Sequence, residues 1–307
     1  MIDILNKRYV YFIVSILVII PGLVFLFAGG LPLSIDFTGG SLLEIKFEEK
    51  DLSFETVNSI YETAGIDDAQ IQTTENDTLL IRSSFLTNET RDVVLSALRS
   101  ESASEVTVIR FDSVGPSIGS QVASRAAQAV AIAAIAVAIF IRIVFSKVPN
   151  AFRYGVCAII AMVHDVAVVF SVVGIGARYF DWQIDALFLT ALLTVIGFSV
   201  QDKVVVFDRI RENSNVYRKL NYETLVNHSI VQTLQRSINT QLMTVEFLLL
   251  ALALFGGVTL QEFATILLVG LFSGTYSSIF IAASILVVWE NREWQTWFRR
   301  RSEQTEA

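Results

Sequence analysis

Residues 9–28 read YVYFIVSILVIIPGLVFLFA, an apolar run without one charged side chain. A helix needs about 20 predominantly apolar residues to cross the hydrocarbon of a bilayer, and this run has that length. An ordinary signal peptide has an apolar region of about 7–15 residues followed by a small-residue cleavage site. Neither feature is present, so an uncleaved span is expected here. Working outward, five further segments meet the same criterion: Val122–Phe145, Ala151–Gly176, Asp185–Phe207, Thr240–Gly257 and Glu262–Trp289. The expected fold class is therefore a polytopic α-helical membrane protein with six transmembrane helices.

What separates the first span from the second differs in composition. Charged residues make up only 17% of the 307-residue chain, below the roughly 25% of soluble domains, and they cluster in Gly30–Gln121. That segment holds 16 Asp/Glu against 6 Lys/Arg, a net −10, which leaves +3 for the rest of a chain whose total is −7. Residues 30–121 thus read as an acidic soluble domain between spans one and two, and no basic nucleic-acid footprint is present.

Basic residues in the short connections set orientation. Lys7 and Arg8 precede span one. Arg142, Lys147 and Arg153 lie between spans two and three, and Arg209, Arg211, Arg218 and Lys219 between four and five. Arg292 and Arg299–Arg301 follow span six, whereas the opposite connections carry only Arg178. Both termini are expected on the cytoplasmic side, residues 291–307 form a cytoplasmic tail, and domain 30–121 is extracytoplasmic. This is the topology of a multi-pass protein of the bacterial inner membrane. Cys157, the only cysteine, lies in an apolar run, where a packing role is expected.

The outer domain alternates like a half-buried sheet. Ser41–Glu48, Ala69–Thr74, Thr78–Ser83 and Val106–Phe111 read as strands, with Glu75-Asn76-Asp77 as a turn. Ser53 is placed to cap a helix over Phe54–Ala64 before Gly65, and Thr87–Ser100 reads as a second helix. The order β-α-β-β-α-β predicts the α/β ferredoxin-like, split βαβ arrangement.

Ionisable residues within apolar spans are costly, so each is a candidate for function. Asp165, preceded by His164, sits near the middle of span three. Asp202 lies toward the cytoplasmic end of span four beside Lys203, which could instead snorkel to lipid headgroups. Arg236, Asn239, Met243 and Glu246 recur at steps of three and four, a spacing that puts them on one helical face, expected to point into the bundle with Thr240 nearby. Gly270 and Gly274 form GxxxG in span six, extended by Ser278, a pattern of close helix packing within one subunit or against another. Leu220–Leu234 is amphipathic and fits either the cytoplasmic membrane surface or a connector packed on the bundle base. These facts leave three classes open: a proton-coupled translocase or transporter subunit using Asp165, Asp202 and Arg236 as a relay, an intramembrane aspartyl protease with Asp165 and Asp202 as a dyad, and a scaffold with paired charges. A protease dyad needs two carboxylates sharing a proton, and no GxGD context precedes Asp202. No G-x-x-x-x-G-K-[ST] motif occurs in the sequence, so an ion gradient is the expected energy source, with no cofactor and no metal site.

Several motifs carry a family resemblance in order along residues 36–290: Asp36-Phe37-Thr38-Gly39-Gly40, Val114-Gly115-Pro116-Ser117-Ile118-Gly119, Val163-His164-Asp165-Val166, Gly197–Asp202 running to Asn213, Arg236–Thr240, and Gly274–Phe280. They resemble the SecF family. The resemblance implies pairing with SecD as one transporter of the resistance–nodulation–division superfamily, association with the SecYEG channel, and use of the proton motive force to draw exported unfolded polypeptide outward. It also implies Asp202 and Arg236 as the proton-pathway acid and its partner, with Asp165 as the acid of span three. Gly39, Gly40 and Gly115, the last followed by Pro116 of the same motif, fit either hinges of the outer domain or simple turns at its boundary. The family mostly carries Thr where this chain has Lys203 and Ser237. A half-transporter of the same superfamily exporting a small molecule or lipid is the alternative.

Overall fold

The computed structural model describes residues 3–47, 52–73, 78–102, 105–147, 151–241, 247–255 and 258–295. Two compact units emerge, one of Leu33–Gln128 and one of Met1–Pro32 with Ala129–Ala307. Among the described residues five helices are long and apolar enough to cross a membrane: Leu5–Gly29, Pro116–Val144, Ala151–Tyr179, Ala186–Val216 and Leu260–Glu290. The remaining expected span, 240–257, falls partly on residues 242–246 and 256–257, which lie outside the described residues. Its described portion, Phe247–Phe255, is helical.

In the smaller unit a short helix α2 (Ile35–Thr38) leads into β1 (Gly40–Phe47), and α1 is the preceding span, Arg8–Gly29. Then come α3 (Phe54–Thr63), β2 (Gln70–Thr73), β3 (Thr78–Ser83), α4 (Asn88–Glu101) and β4 (Val106–Val114). The sheet order is β2-β3-β1-β4 and every pairing is antiparallel, which is the predicted split βαβ topology. The Ser53 and Thr87 side chains accept from the Thr56 and Thr90 amides and so start α3 and α4. Leu43, Ile45 and Ile81 of the sheet meet Val57, Tyr61, Val94 and Leu98 of the helices in one core. The turn expected at Glu75-Asn76-Asp77 lies outside the described residues.

The glycines flanking this unit pack closely. Gly39 and Gly40 hold φ of +75° and +128°, which side-chain-bearing residues rarely adopt. A β-carbon on Gly39 would lie 2.8 Å from the Pro116 Cα, and one on Gly119 would lie 2.5 Å from the Gly39 nitrogen. Pro116 is the first residue of α5 (Pro116–Val144), a position that suits its missing N–H. Gly39, Pro116 and Gly119 therefore form a packed corner in this structure, while a β-carbon on Gly115 would meet only the Ile118 side chain, at 4.0 Å.

The membrane unit continues through α6 (Ala151–Tyr179), α7 (Ala186–Val216), α8 (Tyr222–Gln241), α9 (Phe247–Phe255) and α10 (Val258–Tyr276). A π-helical turn over Ser277–Ala282 then leads to α11 (Ala283–Glu290). Helices α1 and α6 touch at glycines: a β-carbon on Gly22 would lie 1.9 Å from the Ser171 carbonyl oxygen, and one on Gly174 2.1 Å from that of Gly22. Pro21 removes one helical donor from α1, and the Ser171 hydroxyl donates from α6 to the nearby Val18 carbonyl at 2.8 Å. Helix α8 is the packed connector and not a surface-lying one. Leu225, Val226 and Ile230 are buried in a cluster with Ile4, Leu5, Cys157, Ile210 and Leu286. Arg8 fixes that end of the bundle by pairing with Glu223 and Glu293 at 2.6 and 2.7 Å.

Candidate functional site

The intramembrane polar residues converge where α6, α7 and α8 meet the last span. Asp165, near the centre of α6, is fully buried. Its Oδ2 accepts from the Lys203 ammonium at 2.7 Å and from the Ser199 and Ser277 hydroxyls, each at 2.7 Å. Its Oδ1 accepts from Ser273 at 2.8 Å and faces His164 Nδ1 at 3.1 Å. An ionised carboxylate only accepts, so the tautomer that fits an ionised Asp165 is the one with its proton on Nδ1. The His164 ring stacks on Tyr276, with centroids 6.1 Å apart.

Lys203 does not snorkel to a headgroup. It is 0% exposed and spends its three ammonium donors on Asp165 Oδ2, Ser199 Oγ at 2.6 Å and the Ser199 carbonyl at 3.2 Å. The helical step explains the cluster, since Ser199 and Lys203 are four apart on one face of α7 and Ser273 and Ser277 four apart on the last span. A buried charge left unpaired would be prohibitive. Here each charge has the other, plus hydroxyls for the remaining lone pairs.

Asp202 is the neighbouring acid, 9% exposed, and its surroundings differ in kind. Ser237 of α8 donates to Oδ1 at 3.0 Å, and Ser278 of the π turn donates to Oδ2. No ion pair reaches Asp202 among the described residues. The π turn places more residues in each turn than an α-helix, with bonds from i to i+5, and is frequent at functional sites. It lets the consecutive residues Ser277 and Ser278 address two different carboxylates.

One expectation about neighbours is corrected, and one alternative left open is decided. Arg236 does not meet Asp202: it is exposed, as are Asn239 and Thr240, while Thr233 and Ser237 of the same helix are buried. Helix α8 thus presents uncharged hydroxyls to the bundle, and the buried positive charge is Lys203. Met243 and Glu246 lie outside the described residues. The GxxxG face of span six is consumed within the subunit. A β-carbon on Gly270 would lie 2.3 Å from a Val195 methyl, and one on Gly274 would lie 3.4 Å from the Ser199 Cα. It is therefore not a free surface for a partner chain, although Ser278 does lie on the packed side. The sequence reading missed Ser199, Ser273 and Ser277 as a set. Their i, i+4 spacing toward Asp165 was the available signal.

Comparison with known proteins gives a consistent picture. A family profile described as protein export membrane protein SecD/SecF, C-terminal, matches residues 94–292, and the SecD/SecF GG motif matches residues 24–51. The protein translocase subunit SecF of Anaerolinea thermophila is 64% identical over 308 residues, covering 100% of both chains. That of Thermobaculum terrenum is 44% identical over 100% of both. The crystal structure of SecDF, a translocon-associated membrane protein of Thermus thermophilus, aligns with TM-score 0.80 and 31% identity. It covers 94% of this chain, which spans only 39% of that larger one.

Proposed function

We propose that this chain, which belongs to the SecD/SecF family of protein-export membrane proteins and shares its role in protein export, is the proton-coupled half of a two-part translocase motor. Its other half is a SecD-type chain, and the pair works beside the SecYEG channel on unfolded polypeptide. The chain lies in the bacterial inner membrane with both termini cytoplasmic and residues 30–121 outside. It acts without hydrolysing a nucleotide, and the proton gradient is the energy source.

One observation carries this reading: Asp202 is a buried carboxylate whose hydrogen-bond donors among the described residues are two hydroxyls. A hydroxyl can donate to a carboxylate or rotate to accept from a carboxylic acid. Ser237 and Ser278 therefore fit both protonation states of Asp202 without rebuilding the site. The two states differ by one charge inside the bundle, and a charge moved through the membrane potential carries about 2.3 kcal/mol per 100 mV. That suffices to bias a helix arrangement between α7, α8 and the last span, whose hydroxyls straddle the acid. A small-molecule or lipid exporter would use the same chemistry, but full-length similarity to SecF chains favours polypeptide cargo.

The test uses membrane vesicles from cells lacking this chain, with and without its restored expression, measuring secretion before and after a protonophore. Restoration is expected to return a protonophore-sensitive component to secretion. Equal sensitivity in both vesicle sets would overturn the reading.

A further inference from the structure

Two buried aspartates lie in the same bundle, and their donors differ. Asp165 accepts from five side chains, one of them an ammonium. Asp202 accepts from two hydroxyls. An ammonium only donates. A proton arriving on Asp165 Oδ2 would face Lys203, which cannot turn to accept from it and whose other two donors rest on Ser199. Protonating Asp165 therefore means breaking the ion pair and taking from a fully buried ammonium its directly bonded counter-ion, which costs several kcal/mol. At Asp202 the same event needs one hydroxyl to rotate.

We infer that Lys203 is a fixed internal counter-charge that withdraws Asp165 from proton transfer and leaves Asp202 as the proton-carrying acid among the described buried carboxylates of this bundle. Asp165 and Lys203 then form a strut joining α6, α7 and, through Ser273 and Ser277, the last span. Lys203 is a positioning residue: it keeps the neighbouring acid silent and holds Ser199 in place. The charged and titratable groups facing the pair are His164 on α6 and Asp202 on α7. Arg236, exposed on α8, is not among them. This inference rests on the reading of Asp202 as the working acid and assigns Asp165 a role different from the proton-pathway one that its position suggested.

The experiment counts protonatable buried carboxyls by infrared difference spectroscopy. The full chain, reconstituted in lipid with its SecD-type partner, is titrated from pH 5 to 9. Wild type is expected to show one protonated-carboxyl band from the bundle, lost in D202N and unchanged in D165N. K203M is expected to show two bands, the second removed by adding D165N, whereas K203R keeps the single wild-type band. A purely structural lysine would leave the count unaltered. Two bands in wild type, one of them lost in D165N, would overturn the inference, as would a single band in K203M. If K203M fails to assemble, the comparison of wild type with D165N still decides. A wild-type spectrum with no band sensitive to D202N would instead sink the assignment of Asp202 on which the inference rests.

Discussion

Tyr61 shows how a single side chain constrains the outer unit. Its ring fills the centre of the core at 0% exposure, and its hydroxyl has no hydrogen-bond partner among the described residues. Burial pushes its phenol above the ordinary value. The neutral form is thus the folded form. Its contribution is fully present below the unfolded value near 10 and is lost as pH rises from there toward the folded value, by about 1.4 kcal/mol per pH unit. Tyr61→Phe removes an unsatisfied buried hydroxyl and is expected to stabilise the unit by about 1–3 kcal/mol and to abolish that alkaline loss. Urea unfolding at pH 8 and pH 11 measures both, and an unchanged alkaline slope would contradict the assignment. A second substitution probes the membrane unit. Gly22→Ala sets a methyl against the Ser171 backbone, where no side chain can turn away, and is expected to cost about 1–3 kcal/mol, read as a lower thermal midpoint in detergent. The sequence made the costly charges visible but not their partners. Lys203 beside Asp202 in the chain pairs with Asp165 across the bundle, because neighbours on a helix point in different directions while residues four apart stack. Hydroxyls are silent in a hydropathy reading, so the serines around Asp165 left only a helical spacing as their signal.

The elements were legible where periodicity or caps marked them. Each predicted strand of the outer domain has an observed counterpart, and both of its longer helices begin at the capping Ser53 and Thr87. Differences arise where a polar surface hides a continuing backbone. Strand β4 runs on to Val114, and α5 begins at Pro116, before hydrophobicity rises at Val122. Helix α7 extends to Val216, making it about 46 Å long against about 30 Å of hydrocarbon, so its end bearing Arg209 and Arg211 projects from the apolar layer. The π turn left no composition signal at all. From the single core of β1–β4, α3 and α4, a fragment of residues 30–121 is expected to be soluble and to unfold in one cooperative transition. Circular dichroism and tyrosine fluorescence should report coincident midpoints, since Tyr61 is its only tyrosine. A disordered spectrum would defeat the assignment of an independent domain.

Assembly follows from which faces the chain has already used. Because Gly270 and Gly274 pack against α7 inside the subunit, Gly270→Leu is expected to destabilise this chain itself. The fraction that folds should still bind its SecD-type partner, and co-purification normalised to folded protein separates the two effects. A selective loss of the partner would place the GxxxG face in the interface after all. In the proposed mechanism, energy coupling turns on Asp202. The decisive comparison is Asp202→Asn against wild type in inner-membrane vesicles, scoring protonophore-sensitive secretion with chain level and partner association verified in parallel. A side chain fixed in a neutral-like state is expected to lower that component at least about tenfold, equivalent to about 1.4 kcal/mol, with insertion and assembly intact. Wild-type, protonophore-sensitive secretion from assembled Asp202→Asn would contradict a proton-carrying role for Asp202.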